Sequence, residues 1–144
     1  MKHLRKTSHA KYDLKYHIVW ITKYRYPVLT GKIAIRVRDL IRLICSENEV
    51  TILAGSISSR HIHLFVSAPP HLAPAKLIQY CKGATSRKVQ QEFPELRKRY
   101  WGQHFWARGY YVASSGNVSD EMILQYIHNH EDDDEKQDNF RIAR

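Results

Sequence analysis

Two short patterns carry the residues that could do chemistry. The first is His61-Ile62-His63, inside an apolar run that continues Leu64-Phe65-Val66. In an extended strand alternate side chains share a face, so His61, His63, Phe65 and Ser67 should point one way and Ile62, Leu64 and Val66 the other. Two imidazoles placed side by side can converge on one divalent ion. Taken alone, such a pair is more often solvated polarity. Here it interrupts an apolar strand directly after a Ser58-Ser59-Arg60 turn, at a sheet end where sites tend to lie. The second pattern is Tyr126 and His130, at i and i+4 of a C-terminal segment that reads as a helix, hence on one face a turn apart. His128 falls on a different face. A tyrosine hydroxyl titrates near ~10 and is a weak nucleophile without help. A metal held by His61 and His63 would supply that help by stabilising charge on a phosphate, and His130 could complete its ligand set.

The elements that must position these residues follow from periodicity. The stretch 12–26 alternates Leu14, Tyr16, Ile18 and Trp20 as a strand, ended by Pro27. Thr30-Gly31 opens a helix with Ile33, Val37, Leu40, Ile41 and Ile44 on one side and Lys32, Arg36 and Arg42 on the other. Val50–Ile57 and His61–Ser67 form a hairpin. Pro74 starts a helix running to about Glu92, Pro94 and the charged 95–99 stretch read as a loop, and 105–114 reads as a fourth strand. Ser119-Asp120-Glu121 begins the last helix. The order β-α-β-β-α-β-α predicts an α+β, ferredoxin-like antiparallel sheet with an additional C-terminal helix that carries the tyrosine.

Composition narrows the partners. The chain of 144 residues has 23 Lys and Arg against 14 acids, a net charge of +9, and 43% apolar residues. That predicts one domain with a proper core and a polyanionic partner, nucleic acid first. The basic segment 1–11 and the segment 131–144, opened by the acidic run Glu131–Glu135, read as tails. No apolar run approaches the ~20 residues that span a bilayer, and none follows the basic start, so neither a membrane partner nor a signal peptide is expected and the cytoplasm is the expected location. Cys45 and Cys81 lack metal-ligand or disulfide spacing and read as small buried hydrophobes. Lys23, Tyr24 and Arg25, at the end of the first strand, set charge beside an aromatic, which suits stacking on unpaired bases. Lys82, Arg87 and Lys88, off the apolar side of the second helix, suit phosphate contact.

The chain resembles the IS200/IS605-type transposases, single-tyrosine enzymes of the HUH single-strand nuclease group. The likeness runs from about Lys11 to Glu131. It rests on Tyr16-His17-Ile18-Val19-Trp20 with Lys23-Tyr24-Arg25, Pro27-Val28-Leu29-Thr30-Gly31, the block 61–70, Lys82-Gly83-Ala84-Thr85-Ser86-Arg87, Phe93-Pro94-Glu95-Leu96, Trp101-Gly102 with Phe105-Trp106, Gly109-Tyr110-Tyr111-Val112, and Val118-Ser119 leading to Tyr126-Ile127. The resemblance implies that His61 and His63 bind Mg2+ or Mn2+ and that Tyr126 is the nucleophile. It implies a 5′-phosphotyrosine intermediate in cleaving and rejoining single-stranded DNA at insertion-sequence ends. It also implies recognition of a hairpin at those ends and a homodimer whose tyrosine helix can serve the partner's histidines. The position four after the tyrosine is usually glutamine in that family and here is His130. Two alternatives are a domesticated REP-associated tyrosine transposase and a non-catalytic ferredoxin-like nucleic-acid-binding module. The latter would leave His61, His63 and Tyr126 without a reason.

Overall fold

The computed structural model describes residues 5–6, 10–101, 104–114 and 140–142. Tyr126, His130, the predicted last helix and the acidic run lie outside the described residues.

Strands β1 (Arg5–Lys6) and β2 (Lys11–Tyr12) form a small ribbon. The main sheet contains β3 (Lys15–Ile21), β4 (Thr51–Ile57), β5 (His61–Ser67), β6 (Tyr111–Ser114) and β7 (Arg141–Ile142), in the order β6-β3-β5-β4-β7. The first four are antiparallel neighbours, and with helices α1 (Gly31–Glu47) and α2 (Pro74–Glu92) they make the ferredoxin-like plan. No helix among the described residues is long and apolar enough to cross a membrane.

Each helix forms where the apolar spacing is helical. In α1 the buried residues are Ala34, Val37, Leu40, Ile41, Ile44 and Cys45, and in α2 they include Leu77, Ile78, Cys81, Thr85 and Val89. These rows pack on the sheet face that carries Ile18, Trp20, Ile57, Ile62, Leu64 and Val66, giving one apolar cluster. Cys45 and Cys81 are both buried thiols within it. Their mutual hydrogen bond, then burial, hold the Cys81 thiol well above the ordinary range. Val19 and Ile21 are buried too but stand outside that cluster, because odd positions of β3 face the other side of the sheet.

Four expectations need correction. The first strand is shorter than 12–26: after Ile21 the chain enters a tight turn at Lys23–Arg25, with Tyr24 and Arg25 at φ 59° and 55°. The fourth strand is only Tyr111–Ser114. The buried Phe105 and Trp106 make only a short antiparallel pairing with Ile21–Lys23, and Gly109 at φ 88° turns the chain out of line before β6 begins. The charged stretch after Pro94 is a helix, α3 (Pro94–Tyr100), since Leu96 and Tyr100 at i and i+4 give it a buried side and Arg97, Lys98 and Arg99 suit its C-terminal end.

The segments read as tails are also tied down in part. Arg5 donates to the Ser67 carbonyl at 2.8 Å and to the Glu49 carbonyl at 2.6 Å. At the other end Phe140 is buried on Gly55, and β7 pairs parallel to β4. A Cβ on Gly55 would come within 3.2 Å of the Phe140 ring, so glycine there is what admits the aromatic.

Candidate active site and nucleic-acid interface

Strand β5 is central, with β3 on one side and β4 on the other. The register pairs Val19 with His63, Ile21 with His61 and Ser56 with His63. His17, His61, His63, Phe65 and Ser56 therefore share the face opposite α1 and α2. His61 is 0% and His63 2% exposed, so neither is ordinary surface polarity. A buried imidazole needs partners for its ring nitrogens. Ser58 Oγ lies 2.7 Å from His61 Nδ1, and His17 Nδ1 lies 3.4 Å from His63 Nε2. The His17 ring in turn stacks on Phe65, with centroids 4.4 Å apart.

Each histidine of the pair thus has a neighbour that orients it, as metal-binding imidazoles usually do. Among the described residues no three His, Cys, Asp or Glu side chains come together as a metal site. Two buried imidazoles on one strand face fit the donor chemistry of a divalent metal, and further donors have to come from elsewhere. Sequence reading named His61 and His63 but overlooked His17 and Ser58. His17 had a readable signal, because it sits out of phase with Tyr16, Ile18 and Trp20. Its pairing with β5 did not.

The predicted DNA-contact residues divide into two places. Lys23, Tyr24 and Arg25 form the turn after β3, beside the start of β5. The Thr22 amide donates to the Arg60 carbonyl at 2.9 Å, and Arg60 Nε donates to the Arg25 carbonyl at 2.9 Å. Tyr24 is 69% exposed with Lys23 Nζ 5.3 Å from its ring centre. Two successive non-glycine residues at positive φ store strain, which tends to persist where a side chain must be presented. Arg60 joins this group and was not anticipated.

The second place is a cleft of about 830 Å³ between α2 and residues 104–110. Arg87 lines it, exposed, whereas Lys88 does not. Lys82 lines it too, but its ammonium donates to the carbonyls of Ala107 and Gly109 at 2.9 and 3.0 Å. Burial lowers its pKa from the ordinary lysine value. Its first task is to hold that loop against the helix.

A model of the family described as "Transposase IS200 like" matches residues 10–130, which spans the histidine pair, Tyr126 and His130. This chain belongs to the IS200-like transposase family. The transposase is 31% identical over 121 residues to the ISDra2 transposase TnpA of Deinococcus radiodurans, covering 84% of this chain and 86% of that one. It is 30% identical over 135 residues to the transposase for insertion sequence element IS200 of Salmonella typhimurium, covering 94% and 88%. A crystal structure assigned as a transposase from Deinococcus radiodurans R1 superposes with a TM-score of 0.76 at 32% identity, over 88% of this chain and 97% of that one. A REP-associated tyrosine transposase bound to a REP hairpin superposes with a TM-score of 0.58 at 11% identity, over 82% and 67%, a likeness of fold alone. The protein is therefore a DNA-processing enzyme of transposition on a mixed α+β fold.

Proposed function

We propose that this transposase cleaves and rejoins single-stranded DNA at insertion-sequence ends, with Tyr126 as its covalent nucleophile. The observation that carries the reading is the buried pair His61 and His63, side by side on β5 and each oriented by a neighbour, in a chain matched by the family model through residue 130. In this reading His61, His63 and His130 are the protein donors for one Mg2+ or Mn2+ ion. When bound, that ion polarises the scissile phosphate and offsets the charge that builds on it. The Tyr126 oxygen attacks phosphorus, and the phosphorus–O3′ bond breaks. The tyrosine hydroxyl gives up its proton and the departing 3′ oxygen takes one up, while the strand on the 3′ side of the break stays on the enzyme, its 5′ phosphate esterified to Tyr126. A second 3′-hydroxyl attacks the same phosphorus and returns the tyrosine, so strands rejoin without ATP. Ser58 and His17 keep the two imidazoles in place, and Lys23, Tyr24, Arg25, Arg87 and Lys88 contact the DNA. A homodimer, with the Tyr126 segment serving either subunit's histidines, completes the proposal.

The test uses wild-type protein, element-end single-stranded DNA labelled at either end, and Mn2+. A denaturation-resistant adduct that carries the 3′ label, through the 5′ phosphate of the strand on the 3′ side of the break, is expected, lost on chelation and absent in Tyr126→Phe. An adduct that survives in Tyr126→Phe sinks the nucleophile assignment. Binding with no adduct under any metal favours the non-catalytic module.

A further inference from the structure

Helix α2 carries a glycine in its interior, Gly83, where any other residue except proline would form the helix better. Packing does not require it, because a Cβ added at Gly83 meets nothing within 4 Å. The empty space beside it belongs to the cleft between α2 and residues 104–110. The cations Lys23, Lys82, Arg87, Arg97 and Arg108 line that cleft, and no acid is among its described lining residues. Tyr110, 42% exposed, stands at its rim. One wall is held in shape by the two bonds from Lys82 and by Trp106, whose indole donates to Thr85 at 2.9 Å. A volume near 830 Å³ is that of a small-molecule cleft and admits one or two nucleotides, not a duplex.

We propose that this cleft is a binding site for an unpaired segment of DNA, with Gly83 kept small so that a nucleotide can lie against α2. Arg87 and Arg97 meet its phosphates, and Tyr110 offers a stacking surface for its base. The proposal takes only its ligand class from the transposase reading. It lies apart from the histidine pair and does not depend on Tyr126 being the nucleophile.

Gly83→Leu fills the cleft while favouring the helix, so loss of binding through misfolding is guarded against. Fluorescence anisotropy of a labelled oligothymidylate is expected to show a fall of about tenfold or more in affinity for Gly83→Leu, with an unchanged or higher thermal midpoint. Arg87→Ala should reduce the slope of log affinity against log salt by about 0.7, the value for one phosphate on a single strand. A blunt duplex should compete poorly. The proposal is overturned if Gly83→Leu binds the oligonucleotide as wild type does, if the Arg87→Ala slope is unchanged, or if the duplex competes as well as the single strand. Adduct formation reports separately: wild-type protein whose binding depends on Gly83 but that forms no adduct supports the cleft and refutes the Tyr126 reading.

Discussion

Replacing Thr85 by valine should loosen the junction between α2 and the end of β3. Thr85 is 0% and Trp106 4% exposed. Thr85 Oγ1 accepts the indole N–H of Trp106 at 2.9 Å while donating to the Cys81 carbonyl at 2.6 Å. Trp106 packs edge-on against Trp20 and bridges Thr22, so one hydrogen bond ties the helix to the strand that leads into Lys23–Arg25. Valine keeps the shape and removes the acceptor, leaving a buried N–H unsatisfied at a cost of about 1–3 kcal/mol. The Cys81 carbonyl keeps its place in the helix ladder, so the indole dominates the loss. For a chain of this size that corresponds to a fall of roughly 2–10 °C in thermal midpoint. Urea denaturation of wild type, Thr85→Val and Thr85→Ser measures it. Serine retains the acceptor and should lose less than valine. If valine is as stable as serine, the Thr85–Trp106 bond does not hold this junction.

Three further outcomes are expected. The Tyr100 hydroxyl is buried with no hydrogen-bond partner among the described residues, and burial raises its pKa well above the ordinary value. Because burial disfavours the phenolate, this group leaves stability independent of pH below the unfolded value near ~10 and lowers it as pH rises beyond that value. Tyr100→Phe should therefore be as stable as wild type or more so at pH 7, by up to about 2 kcal/mol, with a flatter decline in stability above pH ~10; a loss at pH 7 would contradict this. His17→Phe keeps a ring on Phe65 but removes the nitrogen beside His63, so Mn2+ affinity followed by electron paramagnetic resonance should fall about 10–100-fold, and an unchanged titration would remove His17 from any orienting role. Cys45 and Cys81 should react with a thiol reagent only as fast as the protein unfolds, because both are buried and the Cys81 thiolate is disfavoured; rapid labelling of the native protein would show the α1–α2 contact to be open.

The ferredoxin-like order was legible because its signals are local. Alternation marked β3 and β5, helical spacing marked α1 and α2, and prolines 27, 69, 70 and 74 marked the breaks. The face shared by His61 and His63 followed from strand geometry alone. What escaped depended on contacts distant in sequence. Phe105–Ala107 do pair with Ile21–Lys23, but Gly109 at φ 88° takes the chain out of the ladder before Tyr111 rejoins it, a break no local signal announced. α3 escaped because only Leu96 and Tyr100 show its apolar side among four charges. His17 beside His63 is a matter of register, 46 residues apart, and Phe140 finds Gly55 across most of the chain. Tyr126 and His130 rest on the family match and on spacing.

The short strand β7 has a consequence for how copies of this chain can meet. A sheet margin with unpaired backbone groups is adhesive, and proteins cover such margins or use them. Here Arg141–Ile142 lies along part of β4 with Phe140 wedged beneath, while the far side of β6 carries no neighbouring strand among the described residues. Among the described residues, β6 is thereby the margin left open. Removing the chain from Phe140 onward would expose a second sticky margin on β4, and a sheet open at two edges can add copies at both ends without closing.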